Sequence, residues 1–365
     1  MIDLKTCAAI SDAFGPSGFE EATADVIEQE LNGLPTRRDS IQNLYAALPQ
    51  NTGNRPIVML DAHMDEVGFM VQSITPNGLL RLVPLGGWVD HNVPAHTFLI
   101  RNRRGELVPA VSSSKPPHFM TAAERGAPLT LNNILLDAGV CCKEDATGLL
   151  GLEAGLPVVP DTAFTYFEST GVMLGKAFDC RLGCAAQVET MRALREETLC
   201  ADITAVFSTQ EEVGARGARV AVDRLHPALA ICFEGTPADD TFTPPADAQG
   251  ALKKGVQLRF RDGTMVSHAG FVAFARKIAE ENNIPHQCAV RTGGGTNGGS
   301  IHLAAGGVPT LVLGIPVRYA HTHYGYAAAS DVEAAVALAT ALLRTLTPEV
   351  IRTLNPMAEN GTPVF

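Results

Sequence analysis

Ile57-Val58-Met59-Leu60-Asp61-Ala62-His63-Met64-Asp65-Glu66 is the stretch on which the reading of this chain turns. Its first four residues form a short continuous apolar run, the pattern of a strand buried on both faces rather than one. The run ends at once in a histidine and three acids, so polar chemistry sits where a buried strand emerges. Working outward, the same alternation recurs. Glu20 to Leu34 has the spacing of an amphipathic helix, Asp179 to Leu194 reads as helix and Ile203 to Ser208 as strand. Ala215 to Leu225 is again helical and Ala228 to Phe233 strand-like. Phe271 to Asn282 follows as helix and Thr310 to Leu313 as strand. A last helix is expected from Ser330, with Glu333 three residues on as a capping box. Strands separated by helices predict an α/β fold, a mostly parallel sheet with helices on both faces.

Between about Phe69 and Ala163 the text changes. Gly, Pro, Val and Thr dominate, with short strand-like pieces at Phe69 to Ile74, Leu79 to Pro84 and Thr97 to Arg101. This predicts a small β-rich domain (69–163) inserted into a discontinuous larger one (1–68 and 164–365). A length of 365 residues suits that division.

Composition narrows the function classes. Apolar residues are 46% of the chain and charged residues 18%, ample for a packed core. A net charge of -11 without any Lys/Arg run disfavours nucleic acid and anionic membrane as partners. No apolar run reaches the ~18 residues a membrane span needs, and the first residues do not read as a signal or transit peptide. Eight cysteines make no framework: Cys141-Cys142 is an adjacent pair, and Cys7, Cys180, Cys184, Cys232 and Cys288 sit in apolar segments as small core residues. Reduced thiols and a cytoplasmic location are expected.

Five segments carry the chemistry, each near the carboxyl end of an expected strand, where loops of an open α/β sheet converge on ligands. They are His63-Met64-Asp65-Glu66, Asp179-Cys180-Arg181, Gln210-Glu211-Glu212-Val213-Gly214, Glu234 and Arg318-Tyr319-Ala320-His321. Two histidines and several carboxylates suit zinc, cobalt or manganese, and no thiolate cluster competes. His63 can ligate a metal with Asp65, two residues on, fixing its ring; a buried polar pair at a strand end is the plain alternative. Adjacent Glu211 and Glu212 repel each other unless a cation lies between them, though a solvated charged turn reads equally well. Asp179 precedes a helix, so N-capping competes with metal binding. His321, two residues from His323, is also readable as part of an exposed loop.

The order His-x-Asp-Glu, Phe-Asp-x-Arg-x-Gly, Glu-Glu-Val-Gly, Arg-Tyr-x-His resembles the M42 metallo-aminopeptidases, which include glutamyl, tetrahedral and FrvX-like members, over essentially the whole chain. Ser114-Lys115-Pro116-Pro117-His118 and Leu136-Asp137-Ala138-Gly139 resemble that family's dimerisation insert, and Gly294-Gly295-Thr296-Asn297 and Gly307-Val308-Pro309 also fit. The resemblance implies two divalent metal ions per subunit, bridged by Asp179. Glu212 and His321 would complete one site, and His63 and Glu234 the other. Glu211 would act as general base and Asp65 would orient His63. It implies removal of N-terminal residues from short peptides by a self-associating enzyme, a dimer or a tetrahedral dodecamer. Glu234 stands where the family usually has Asp, Asn297 where it has Asp, and Gly325 where many members have Glu. These departures leave two alternatives: a two-metal hydrolase of another amide (an N-acyl amino acid or a sugar-linked amide), or a non-catalytic shell-forming homologue.

Overall fold

The computed structural model describes residues 2–113 and 115–357, so Met1, Ser114 and the last eight positions of the chain lie outside the described residues. The strand opened by Ile57 runs Ile57–His63 and is buried at every position. Val58, Met59, Leu60 and Ala62 are all fully inaccessible, which is why the run is continuous rather than alternating. Burying each large apolar side chain of this kind contributes roughly 1.5–3 kcal/mol.

This strand lies inside an eight-stranded sheet. The order is Thr36–Arg38, Leu44–Ala47, Asp202–Ser208, Ile57–His63, Leu229–Pro237, Thr310–Val317, Val256–Arg261, His286–Val290. Four neighbouring pairs are parallel and three are antiparallel. The sheet is therefore mixed, correcting the expectation of a mostly parallel one. The cause is the strands Leu44–Ala47 and Val256–Arg261, which run against their inner neighbours; apolar patterning carries no record of strand direction.

Helices cover both faces. Leu4–Asp12, Glu21–Glu30, Phe178–Ala193, Ala269–Glu281 and Ala329–Thr345 pack in the larger core. Arg216–Leu225 and Asn297–Ile301 pack in a second core on the opposite face. The expected capping box at Ser330 does not form. The helix begins at Ala329 with Ala328 as its uncapped N-terminal residue, so Ser330 lies inside the first turn; the Glu333 carboxylate accepts the Ile2 amide at 3.0 Å. Cys288 is exposed, not core, since it points outward from an edge strand; Cys7, Cys180, Cys184 and Cys232 are buried and all eight cysteines are free.

Six strands close into an antiparallel barrel with its own core of Phe69, Val71, Leu80, Phe98, Ile100 and Val158. They are Gly68–Ile74, Leu80–Leu85, Leu135–Asp137, Leu107–Ser113, Thr97–Arg101 and Pro157–Pro160, in that order around the barrel. The barrel is reached directly from the strand that ends at His63, so its loops overhang the same sheet edge. A small sheet of Thr165–Phe167, Val172–Gly175 and Gly325–Ala328 leads the chain back. No single helix among the described residues is long and apolar enough to cross a bilayer.

Candidate metal centre

His63 is the last residue of its strand and pairs in parallel register with Ser208. The turn that follows Ser208 therefore comes up beside it. Glu234 enters from the strand on the other side, facing Gly314 of the next. His321 lies on the loop after Thr310–Val317. Asp179 stands at the mouth of the helix Phe178–Ala193 but is not part of its spiral, with φ -87° and ψ 107°. Its carboxylate makes no capping bond and points to the histidines, so the N-cap reading is set aside. Gly235 permits this approach: a Cβ there would lie 2.4 Å from the Asp179 Cα.

The structure brings six of the seven singled-out residues to one spot and sets Asp65 directly behind. His63 Nε2 lies 3.2 Å from Asp179 Oδ1 and 3.4 Å from Glu234 Oε1. His321 Nε2 lies 3.4 Å from Asp179 Oδ2 and 3.5 Å from Glu212 Oε1. Asp179 thus turns one oxygen to each histidine. His63, Glu211 and Glu212 also offer atoms all within 4.8 Å of one another.

The tautomers follow from the partners. His63 Nδ1 is 3.1 Å from the Asp65 carbonyl, and His321 Nδ1 is 3.0 Å from the Gly87 carbonyl. A carbonyl only accepts, so each Nδ1 carries a hydrogen, and a ring in its neutral form then turns an Nε2 lone pair toward carboxylates. Lone pairs facing anions repel unless a proton or a metal lies between. Donor atoms about a tetrahedral ion at 2.0–2.1 Å stand ~3.3 Å apart, close to the four separations above. Glu234 Oε2, buried and without a hydrogen-bond partner, is a further free donor. The residues fit a pair of divalent ions. Cys180 Sγ is close enough to belong to the cluster, but it donates to Phe233 O at 3.3 Å and burial holds it a thiol, far above its ordinary pKa.

The charges read the same way. Burial pushes Glu211 up to about 7, and drives Glu212 and Glu234 well above the carboxylate range, with Asp179 adding to both. For His321, burial works downward, but Asp179 and Glu212 raise it to about 10. His63 is likewise raised despite its burial, by Asp179, Asp65 and Glu234. Asp179 is held well below its usual range by His321 and His63, against its burial. Without metal the cluster holds extra protons; divalent charge would replace them.

Behind the cluster, Asp65 accepts Ser17 Oγ at 2.6 Å, Glu211 N at 2.9 Å and Glu212 N at 3.1 Å, with His63 Nδ1 3.4 Å away. Below it, Glu66 pairs with Lys176 at 2.6 Å, and fully buried Arg181 binds the Ile10, Gly15 and Met64 carbonyls. Arg181 is thus structural. Arg318 forks onto Asp240 at 2.7 and 2.8 Å and is structural too. Reading by motif missed Ser17, Gly87 and Gly235, whose roles depend on contacts between distant segments.

The cluster opens into a cavity of about 1150 Å³ whose far wall includes Arg259, Arg291, Val290 and Leu303. Arg259 pairs with Asp262 at 3.2 Å and donates to Thr236 Oγ1 at 2.6 Å. Arg291 donates to Pro237 O at 2.5 Å, its Nε has no partner, and it forms no ion pair among the described residues.

The chain is similar to known proteins along most of its length. The sequence profile of the M42 glutamyl aminopeptidases matches residues 43–338. A glutamyl aminopeptidase of Lactococcus lactis subsp. cremoris is 32% identical over 322 residues, 86% of this chain and 88% of the relative. The crystal structure of a TET aminopeptidase from a marine sediment archaeon, Thaumarchaeota archaeon SCGC AB-539-E09, superposes with a TM-score of 0.92. It is 29% identical and the alignment covers 96% of this chain and 99% of that one. The TET1 peptidase of Pyrococcus horikoshii, described as assembling into a tetrahedron or a large octahedral shell, matches at TM-score 0.84 and 26% identity, covering 94% and 99%.

Proposed function

Given that the chain belongs to the M42 glutamyl aminopeptidase family, we propose that it removes N-terminal residues from short peptides at the cluster around Asp179. The observation that carries this reading is the pair of imidazole Nε2 atoms facing opposite oxygens of one carboxylate, at 3.2 and 3.4 Å. His63, Glu234 and Asp179 would hold one ion; His321, Glu212 and Asp179 the other. The mixed nitrogen and oxygen donors favour zinc or cobalt, with manganese also accommodated. When bound, such ions lower the pKa of water and polarise the carbonyl to be attacked.

The remaining steps belong to this chain's own residues. Glu211, at the cavity floor and tied by its amide to Asp65 at 2.9 Å, takes the proton from the attacking water and returns it to the leaving amine. Asp65 fixes the Glu211-Glu212 turn and the His63 ring together. The wide cavity beside Glu234 receives the side chain of the residue being released. Arg291, half-buried with no carboxylate paired to it, suits an acidic side chain, and exposed Val290 and Leu303 suit its aliphatic stem. The strand that carries Glu234 ends two and three residues later at Thr236 and Pro237, which the two arginines bind.

In this proposal the discontinuous α/β part (1–68 and 164–365) is catalytic and the inserted β-rich part (69–163) serves dimerisation, as a building block of a larger shell. The test is hydrolysis of Glu-, Leu- and Lys-p-nitroanilide beside an N-acetylated peptide, with zinc, cobalt or manganese supplied. Cleavage of the free amine with Glu preferred is expected. Equal cleavage of the N-acetylated peptide contradicts the aminopeptidase reading.

A further inference from the structure

Glu20 is a buried carboxylate, 2% exposed, with no basic partner among the described residues. It occupies the residue before the helix Glu21–Glu30, yet its side chain makes no capping bond to that helix. Helix formation therefore does not account for its burial, and burying an acid without a cation is unfavourable unless hydrogen bonds compensate. Its Oε1 accepts two amides: Gly18 N at 2.8 Å and, from 190 residues along the chain, Gln210 N at 3.0 Å.

Gln210 is the residue before the proposed base, and it adopts a left-handed conformation, φ 56°, that non-glycine residues seldom take without support. The next two amides, Glu211 and Glu212, are each held by an oxygen of Asp65. Three consecutive N–H groups of this turn are thus gripped by two buried carboxylates from different segments. The segment Gly15 to Glu20 ties the two grips together, since Ser17 Oγ donates to Asp65 and the Gly15 amide and carbonyl bond Glu66.

We infer that Glu20 is a positioning residue, whose carboxylate oxygen pins the Gln210 amide and thereby sets where the Glu211 carboxylate stands. The inference rests on Glu211 as the general base. Glu20 contacts none of the proposed metal ligands, so its loss displaces the base while leaving metal binding in place. A displacement of ~1 Å near reacting groups costs about a hundredfold in rate.

The experiment compares Glu20→Ala, Glu20→Gln and Glu20→Asp in the full-length protein, reading kcat, KM and metal content with Glu-p-nitroanilide. Glu20→Gln keeps an oxygen at the same reach and is expected to stay within about threefold of the parent. Glu20→Ala removes the acceptor and Glu20→Asp withdraws it by one methylene; both are expected to lower kcat about tenfold or more, with KM and metal content unchanged. If Glu20→Ala does not fold, the Gln and Asp variants decide alone. Overturning results are kcat within twofold of the parent for Glu20→Asp, or a Glu20→Gln variant as slow as Glu20→Asp. Full turnover by Glu211→Gln would instead remove the base assignment, whatever the Glu20 variants do.

Discussion

The two halves of the candidate metal centre are built differently. His63 is 1% exposed, sits in the middle of the sheet, and has its ring fixed by the carbonyl of Asp65 two residues on. His321 is 39% exposed, lies on a loop at φ 60°, and has its ring fixed by Gly87 of the barrel side, 234 residues away. One half follows from strand order alone. The other requires the barrel to stay docked, with Trp88 bonded to Gly68 O and edge-on to His323. A buried site in a rigid sheet holds its geometry without ligand; a loop site pays ordering entropy when it closes.

Four predictions bear on this contrast, from the largest effect down. Glu211→Gln, which belongs to neither half, should cut kcat about a hundredfold or more while both metals remain by elemental analysis; unchanged turnover would remove it from the chemistry. Metal stoichiometry then separates the halves. Asp179→Ala should retain no metal, whereas His321→Ala should retain one ion per chain and His63→Ala should lose the tighter one. Loss of both ions from His321→Ala would erase the distinction. Arg291→Gln should lower kcat/KM for Glu-p-nitroanilide about tenfold relative to Leu-p-nitroanilide, the scale of one charged hydrogen bond; an unaltered ratio would move the acidic pocket elsewhere.

The smallest effect is on pH. In the metal-free protein the neighbouring carboxylates raise His63 and His321, His321 to about 10, so a metal must displace protons held in the cluster. Affinity should therefore climb as pH rises and fall as it drops, by about tenfold per pH unit for each proton released. Titration calorimetry in buffers of different ionisation enthalpy reads the proton count, and no release at pH 7 would contradict the protonated resting state.

Much of this is legible in the residues alone. Ile57–His63, Asp202–Ser208 and Thr310–Val317 were readable because strands buried on both faces leave continuous apolar runs. Their directions were not, since ladder polarity is set by the connections. Leu44–Ala47 is too short to register, and Val256–Arg261 alternates with Gln and Arg as a half-exposed strand would. The candidate ligands were recognisable because histidines and acids at strand ends stand out against an apolar background. Gly87, Ser17 and Glu20 act through hydrogen bonds to groups far along the chain, His321, Asp65 and Gln210, which leaves no local spacing to read. The Ser330–Glu333 box failed because the helix starts one residue earlier, at Ala329, which leaves Ser330 inside it and Ala328 as the N-cap.

The most direct test is anomalous diffraction from crystals equilibrated with zinc. The account predicts two peaks, one in contact with His63, Glu234 and Asp179 and the other with His321, Glu212 and Asp179. A single peak at saturating zinc, or peaks that Asp179 does not touch, would contradict it.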